Sequence, residues 1–226
     1  MPGFFTPKTL TFLRALKRNN DREWFKARKD EFEEHVHGPM VALVEQLAHD
    51  AGTFAPDLVI SPRGIFRIYR DTRFSEDKTP LKTHIAASFP TRDLPKHRGA
   101  GLYIQVAIEG AWAGGGIYGP DTSDLLKIRE HIAANYQRFR AIVESPRFKQ
   151  RLGQLQGERL QRVPRGFPSD HPAAEYFKFK QLYAGCDFDA KATTGPRFYT
   201  SLLTTFKDMM PLVAFLNEPL LGKKAR

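Results

Sequence analysis

The sequence lacks the features of secreted and membrane-spanning proteins. Its single cysteine, Cys186, cannot form an intramolecular disulfide, which is typical of proteins from a reducing compartment. No stretch approaches the roughly 18 consecutive apolar residues that a membrane-spanning helix needs. The first ten residues, MPGFFTPKTL, contain no basic segment leading into an apolar one, so no secretory signal is predicted. We therefore expect a cytoplasmic protein with no membrane partner.

The motifs of several common chemistries are also absent. The seven histidines form neither an H-E-x-x-H pattern nor a metal-ligand spacing with the cysteine, so no metal site is predicted. There is no G-x-x-x-x-G-K-[ST] loop, no G-x-G-x-x-G fingerprint and no G-x-S-x-G elbow. The sequence accordingly predicts no cofactor.

Positive charge is present in excess. The 226 residues carry a formal net charge of +10, and 41% hydrophobic with 27% charged residues is a composition typical of folded proteins. The excess lies in two blocks, residues 63–98 with a net charge of +5 and residues 138–165 with +6. Such blocks indicate either an anionic partner, meaning a small anion or nucleic acid, or only a well-solvated surface. Nothing in the sequence indicates an oligomeric state.

Helical periodicity marks both ends of the chain. Three amphipathic helices are predicted near the N-terminus, beginning at Pro7, after the N-cap residue Asp21 and at Pro39. After the middle of the chain, Asp121 is positioned to begin a long helix that we expect to break near Asn135. A short continuation is expected beyond Pro146.

The last predicted helix has the clearest apolar face, which runs from Phe198 to Leu216. Pro211 lies within it and is expected to kink or interrupt it, because proline removes a backbone hydrogen bond. We expect residues 1–222 to form one domain and the basic tail at 223–226 to be disordered.

Strand patterns fill the middle of the chain. Ile65–Arg70, His84–Phe89 and a segment from Leu102 predict strands, and the last alternates apolar residues with Tyr103 and Gln105. A short turn at Glu109-Gly110 leads into Ala111–Ala113, and residues 176–188 could contain another strand. Consecutive strands with short links favour an antiparallel meander, so the predicted fold class is α+β, with helices from both ends packed on the meander.

The basic hairpin, which we define as residues 64–84, is the strongest candidate site. Its sequence is GIFRIYRDTRFSEDKTPLKTH, and its central loop is longer than the usual 4–6 residue connection. Guanidinium groups bind phosphate and carboxylate with paired hydrogen bonds, so the hairpin could hold an anion. The candidate anion-binding residues are Arg67, Arg70, Arg73, Lys78 and Lys82.

Two observations limit this hypothesis. In a regular strand Arg67 and Arg70 point to opposite faces, so both reach one ligand only if the strand ends or bulges near Tyr69. Alternatively, Asp71 and Glu76 neutralise neighbouring arginines and the charges only fix the loop.

The glycine triplet Gly114, Gly115 and Gly116 precedes a predicted helix and resembles, weakly, a backbone phosphate-binding loop. Because the preceding strand belongs to a meander, a tight turn or a close backbone approach is the stronger interpretation.

The function predicted from these patterns is anion binding at the basic hairpin, the anion being a phosphorylated ligand or a nucleic-acid backbone. One alternative is an enzyme acting on a phosphorylated or carboxylated small molecule in the same pocket, with Asp71 or His84 as the acid–base group. Another is a protein-interaction module without a small-molecule site. Single-stranded nucleic acid would also need stacking rings, for which the candidates are Phe66, Tyr69, Tyr103 and Trp112.

Five segments of the chain resemble one family of proteins, number 2461 in the domain-of-unknown-function series, found in bacteria and fungi. They are NNDREWF, RIYRDTRFSEDKTPLKTH, GGGIYGP, IREHI and PRGFPSDHP. The resemblance covers nearly the whole chain and implies a single α+β domain, but no reaction, cofactor or catalytic residue. Leu81 stands where many relatives are expected to carry an aromatic residue, a departure that concerns packing and not the cations.

Overall fold

A computed structural model describes residues 3–95 and 98–221. Helices form the N-terminal part, and the bounds of the α-helices are α1 Pro7–Arg18, α2 Arg22–Lys26, α3 Lys29–Phe32 and α4 Gly38–Ala51. A π-helical turn, Glu33–His37, joins α3 to α4, and a 3₁₀ turn, Pro62–Gly64, follows. Asp21 caps α2 by accepting hydrogen bonds from the backbone N–H groups of Glu23 and Trp24, as its position in the sequence predicts.

The middle and C-terminal parts of the chain form the sheet and the remaining helices. The strands are β1 Ile85–Phe89, β2 Gly101–Ala107, β3 Gly110–Ile117 and β4 Leu182–Asp189. The helices are α5 Thr122–Ala134, α6 Tyr136–Val143, α7 Pro146–Leu152, α8 Ala174–Phe177, α9 Ala190–Thr193 and α10 Phe198–Asn217. The predicted break at Asn135 is confirmed, since α5 ends and α6 begins on either side of it.

The four strands pair in the order β1-β2-β3-β4, and each pair is antiparallel. Residues 108–109 form the two-residue turn between β2 and β3, one position earlier than predicted, and Gly110 follows with a φ of +138° that favours glycine. The α+β class and the antiparallel meander are therefore confirmed.

The predicted strand at Ile65–Arg70 is wrong. This segment makes only isolated bridges, Ile65 to Ala87 and Tyr69 to Leu81. The chain opposite it bends at residues 83–84 before β1 begins, and Pro80 has no N–H to donate, so a continuous ladder cannot form.

One face of the sheet packs on the core. Leu102, Ile104 and Val106 of β2 are fully or almost fully buried, and Phe206 of α10 contacts Phe89 of β1. The buried hydrophobic residues of the described chain form one connected cluster that includes side chains of α1, α4 and α10. Helices from both termini and this face of the sheet therefore share one core, and the other face is left for the cavity described below.

The last helix is not interrupted at Pro211, and α10 runs from Phe198 to Asn217. Pro211 and Lys207, the residue whose carbonyl loses its intrahelical partner, are both exposed. Water can therefore hydrogen-bond to that carbonyl, which makes the proline tolerable.

Two further points concern the ends and the length of the helices. Within residues 3–95 and 98–221 no helix is long and apolar enough to cross a membrane. The predicted basic tail at 223–226 lies outside the described residues.

Candidate functional site

Most cations of the basic hairpin are paired within its exposed loop. Arg70 forms an ion pair with Asp77 and donates to Thr79 Oγ1 at 2.7 Å. Arg73 donates twice to the carboxylate of Asp71, with its Nη2 atom 2.7 Å from Oδ2. The alternative hypothesis, in which acidic residues of the hairpin neutralise its arginines, therefore applies to Arg70 and Arg73. The acidic residues are Asp71, as predicted, and Asp77 in place of the predicted Glu76.

These contacts set the charge of the loop carboxylates. Backbone and side-chain hydrogen bonds from Thr79, together with Arg70, lower the pKa of Asp77 to about 2. The Arg73 guanidinium lowers the pKa of Asp71, which remains exposed and is not among the residues lining the cavity. Lys78 donates to the Thr72 carbonyl at 3.0 Å. Arg70, Arg73 and Lys78 thus each contact a group of the loop itself, and none of them lines the cavity described next.

A cavity of about 800 Å³ lies on the face of the sheet opposite the core. Its position follows from strand alternation, because Tyr103 and Gln105 of β2 project away from the buried face. Trp112 pairs with Gln105 across β2 and β3, and Asp187 of β4 pairs with Trp112. The volume lies within the range of small-molecule sites.

Aromatic rings form a row along the cavity. Neighbouring ring centroids are separated by 6.3 Å from Phe66 to Tyr103, 5.9 Å from Tyr103 to Trp112 and 6.3 Å from Trp112 to Tyr183. Tyr118 continues the row at 5.6 Å from Tyr183 and is 70% exposed at the edge of the cavity. Three of the four predicted stacking residues are therefore in this row. Tyr69 is not, because it packs against Phe25.

Gly115 and Gly116 of the glycine triplet line this cavity, but the triplet is not a phosphate-binding loop. Gly114, Gly115 and Gly116 lie inside β3, so their backbone N–H groups are part of a strand and not of a loop before a helix. A Cβ atom on Gly114 would lie 2.7 Å from the Trp112 ring, and one on Gly185 of β4 would lie 2.5 Å from it. The indole ring therefore rests on two glycine backbones. The triplet allows other groups to approach the backbone closely, which is the stronger of the two interpretations of its sequence.

Lys82 carries the positive charge of the cavity. Its Nζ atom lies 5.2 Å from the centroid of the Phe66 ring and donates to the Arg67 carbonyl at 3.0 Å. Burial, and then the nearby charge of Arg67, lower the pKa of Lys82. Among the residues of the described chain that line the cavity there is no carboxylate, so the ammonium group has no counterion there.

The backbone next to Lys82 is fixed by a residue from the N-terminal part of the chain. The side-chain amide of Asn20 donates to the Leu81 carbonyl at 2.9 Å and accepts from the Leu81 N–H at 3.0 Å. The Leu81 side chain is fully buried. Asn20 therefore joins the NNDREWF segment to the end of the basic hairpin and positions Lys82.

His84 also lines the cavity and is partly buried. Burial lowers its pKa, and Lys82 and Arg70 lower it further by repulsion, so the imidazole is neutral at pH 7. In the part of the chain that the structure describes, no side chain or backbone group hydrogen-bonds to the ring. Of the two predicted acid–base candidates, His84 lines the cavity and Asp71 does not.

Several residues of the cavity were not predicted from the sequence. Tyr118, Gln156 and Tyr183 come from segments far from the basic hairpin, and the pairing of β4 with β3 brings Tyr183 beside Trp112. The alternation in β2 predicts that Tyr103 and Gln105 share its polar face. In the structure the Tyr103 hydroxyl donates to Gln105 Oε1 at 2.9 Å. Burial raises the pKa of Tyr103 to about 12, so this hydroxyl stays protonated. Alternation in β2 was the only sequence signal for this wall.

The fold and the cavity define a class of α+β proteins in which a four-stranded antiparallel meander, covered on one face by helices, carries an aromatic-walled cavity on the other. The chain belongs to the family described as conserved hypothetical protein (DUF2461), whose model matches residues 8–215. The resemblance found in the sequence is thereby confirmed. No curated protein and no solved structure matches the chain. Within the described residues, no three histidine, cysteine or acidic side chains lie close enough together to hold a metal ion.

Proposed function

We propose that the protein binds a small organic anion, phosphorylated or carboxylated, in the aromatic-walled cavity, with the anionic group at Lys82. The observation that carries this proposal is the ammonium group of Lys82 in a cavity whose described lining contains no carboxylate. A bound anion would supply the missing counterion. The proposed function, anion binding, is the one predicted from the sequence. The proposed site, however, lies at the C-terminal end of the basic hairpin and not in its loop.

The electrostatics of the cavity supports this proposal. Lys82 is partly buried, and the positive charge of Arg67 disfavours the protonated form of its amine. Lys82 and Arg70 in turn disfavour a positive charge on His84. Like charges brought together without a counterion destabilise a fold, and such clusters are concentrated at functional sites. An anion that binds at Lys82 would relieve this repulsion.

A small anion is favoured over a nucleic-acid backbone. Backbone binding needs several cations free to contact successive phosphates. In the second basic block, residues 138–165, several arginines pair instead with carboxylates, namely Arg138 with Glu218, Arg140 with Glu144 and Arg147 with Asp208. These arginines are already neutralised within the protein and are poorly suited to hold an extended strand.

A panel of anions tests the proposal. Phosphate, pyrophosphate, ribose 5-phosphate, citrate, nucleoside 5′-monophosphates and a ten-nucleotide single strand would be screened by thermal shift and then titrated by calorimetry. We expect at least one small anion to raise the melting temperature, since a ligand that binds only the native state stabilises it. Its affinity should change little between about 50 and 200 mM salt, whereas a strand with six to ten phosphate contacts should lose about 10³-fold or more.

Two outcomes would contradict the proposal. One is that no small anion of the panel stabilises the protein at any salt concentration. The other is that only the single strand binds, with the steep salt dependence of backbone contacts, which would favour nucleic acid as the partner.

A further inference from the structure

The ring of Trp112 lies against the sheet at two residues that have no side chain, Gly114 and Gly185. The ring contacts the backbone at Gly114 and Gly185, where a Cβ atom would lie 2.7 Å and 2.5 Å from it. The same ring lines the cavity. The six-membered ring of the indole is therefore supported by the sheet, which limits how far the ring can move toward it.

The neighbouring rings do not stack on Trp112. The planes of Trp112 and Tyr103 meet at 55° and those of Trp112 and Tyr183 at 75°. Rings at such angles stand beside the indole instead of lying parallel to it. Trp112 thus forms a platform with an aromatic wall on each side, an arrangement that suits a flat ring.

Polar groups of the cavity match the edge of a heterocycle. Gln105 accepts a hydrogen bond from Tyr103 through Oε1, which leaves its NH₂ group as a donor. The side chain of Gln156 also lines the cavity and makes no hydrogen bond within the described residues. Amide groups can both donate to and accept from ring nitrogens and carbonyls.

Phe66 and Tyr103 lie between Lys82 and Trp112 in the aromatic row. A ligand that reaches both the ammonium group and the platform therefore needs a spacer between its anionic group and its ring. A carboxylate attached directly to a heterocycle has no such spacer, whereas a ribose provides one.

From these observations we infer that the cavity binds a planar nitrogen heterocycle joined through a spacer to an anionic group, the chemistry of a nucleoside monophosphate. The heterocycle stacks on Trp112 and the anionic group lies at Lys82. This inference rests on the proposed function, because it takes the anion contact at Lys82 as given and adds the identity of the remainder of the ligand.

The test compares ligands that share one part of the molecule. Calorimetry would measure the four ribonucleoside 5′-monophosphates, ribose 5-phosphate, which lacks the ring, and orotate, a heterocycle with a directly attached carboxylate. We expect at least one monophosphate to bind about 5- to 150-fold more tightly than ribose 5-phosphate, the range of base–aromatic stacking. Orotate should bind more weakly than uridine monophosphate.

A variant then locates the ring. In a Trp24→Phe background, which leaves Trp112 as the sole tryptophan, the monophosphate should quench the remaining fluorescence. Trp112→Leu should remove the advantage of the monophosphate over ribose 5-phosphate and leave the affinity for ribose 5-phosphate within about twofold. The retained sugar-phosphate binding also serves as the control that the variant is folded.

Each part of the inference can fail separately. Equal affinity for ribose 5-phosphate and all four monophosphates would overturn the ring contact while leaving the proposed anion site intact. Orotate binding as tightly as uridine monophosphate would overturn the spacer. A ten-nucleotide strand that binds more than about 100-fold more tightly than any monophosphate would replace the mononucleotide by a single-stranded nucleic acid. If no phosphate-bearing molecule binds but a carboxylate such as citrate does, the inference fails while the proposed function stands. If no small anion binds at all, the proposed function fails and the inference with it.

Discussion

Lys82→Met lowers the affinity for the tightest-binding anion of the panel by roughly 10- to 150-fold. This range corresponds to the loss of one hydrogen bond to a charged group, about 1.5–3 kcal/mol. Methionine retains much of the aliphatic side chain that lies over Phe66, so the packing of the cavity is preserved. Calorimetric titration of the variant and the unmodified protein at the same pH and salt measures the change.

The matched control for this substitution is Lys78→Met. Lys78 belongs to the same basic hairpin but donates to the Thr72 carbonyl from the exposed loop and does not line the cavity. Both variants lose one positive charge, so a general effect of net charge would weaken binding equally. We expect Lys78→Met to stay within about twofold of the unmodified protein; equal losses for both variants would refute the role of Lys82.

Gly114→Ala destabilises the protein by about 3 kcal/mol. The added Cβ atom would lie 2.1 Å from the Ala184 carbonyl oxygen, 2.6 Å from Gly185 Cα and 2.7 Å from the Trp112 ring. Two of these three neighbours are backbone atoms of β4, which cannot move without separating the strands, so the overpacking is relieved only by distorting the sheet. Urea denaturation measures the free energy of unfolding, and fluorescence in the Trp24→Phe background reports whether the Trp112 ring has shifted.

Gly119→Ala is the control for the glycine substitution. Gly119 also lines the cavity, but a Cβ atom there would have no neighbour within 4 Å. We expect its free energy of unfolding to change by no more than about 0.5 kcal/mol. If Gly114→Ala were equally mild, the close approach of Trp112 to β3 and β4 would not be a constraint on the fold.

Local patterns were sufficient to predict much of the fold. The alternation in β2, the cap at Asp21 and the break at Asn135 each depend on residues a few positions apart, and each is present in the structure. The segment Ile65–Arg70 has strand-forming residues but lacks a regular partner, because the chain opposite bends and contains Pro80. Strand formation depends on the neighbouring strand with which a segment pairs as much as on the residues of the segment itself. Residue propensities describe only the segment.

The candidate site could be predicted only in part. Lys82 and His84 line the cavity, whereas Arg70 and Arg73 are neutralised by Asp77 and Asp71. The number of charges in the loop could be read from the sequence, but which arginine each carboxylate would pair with depends on the path of the loop. The alternation argument against Arg67 and Arg70 sharing a ligand presupposes a regular strand, and the structure has only isolated bridges in this segment. Arg70 is instead directed by its ion pair with Asp77.

The glycine triplet illustrates the same difficulty. Its composition is shared by phosphate-binding loops and by strands that another group approaches closely. The distinction depends on β4, about 70 residues farther along the chain, which pairs with β3 and places Gly185 beside Gly114. Tyr183 and the support beneath Trp112 arise from the same pairing, so the aromatic platform could not be predicted before the strand order was known.

The most direct test of the central claim is the acetylation rate of Lys82, measured by mass spectrometry with and without the tightest-binding anion of the panel. Without ligand, the lowered pKa of Lys82 leaves more of its amine unprotonated and reactive at a given pH. A bound anion raises that pKa and covers the amine, so we predict that acetylation of Lys82 slows at least about fivefold while that of Lys78 is unchanged. An unchanged rate at Lys82 under saturating anion, particularly with protection appearing at Lys78 instead, would show that the anion binds elsewhere.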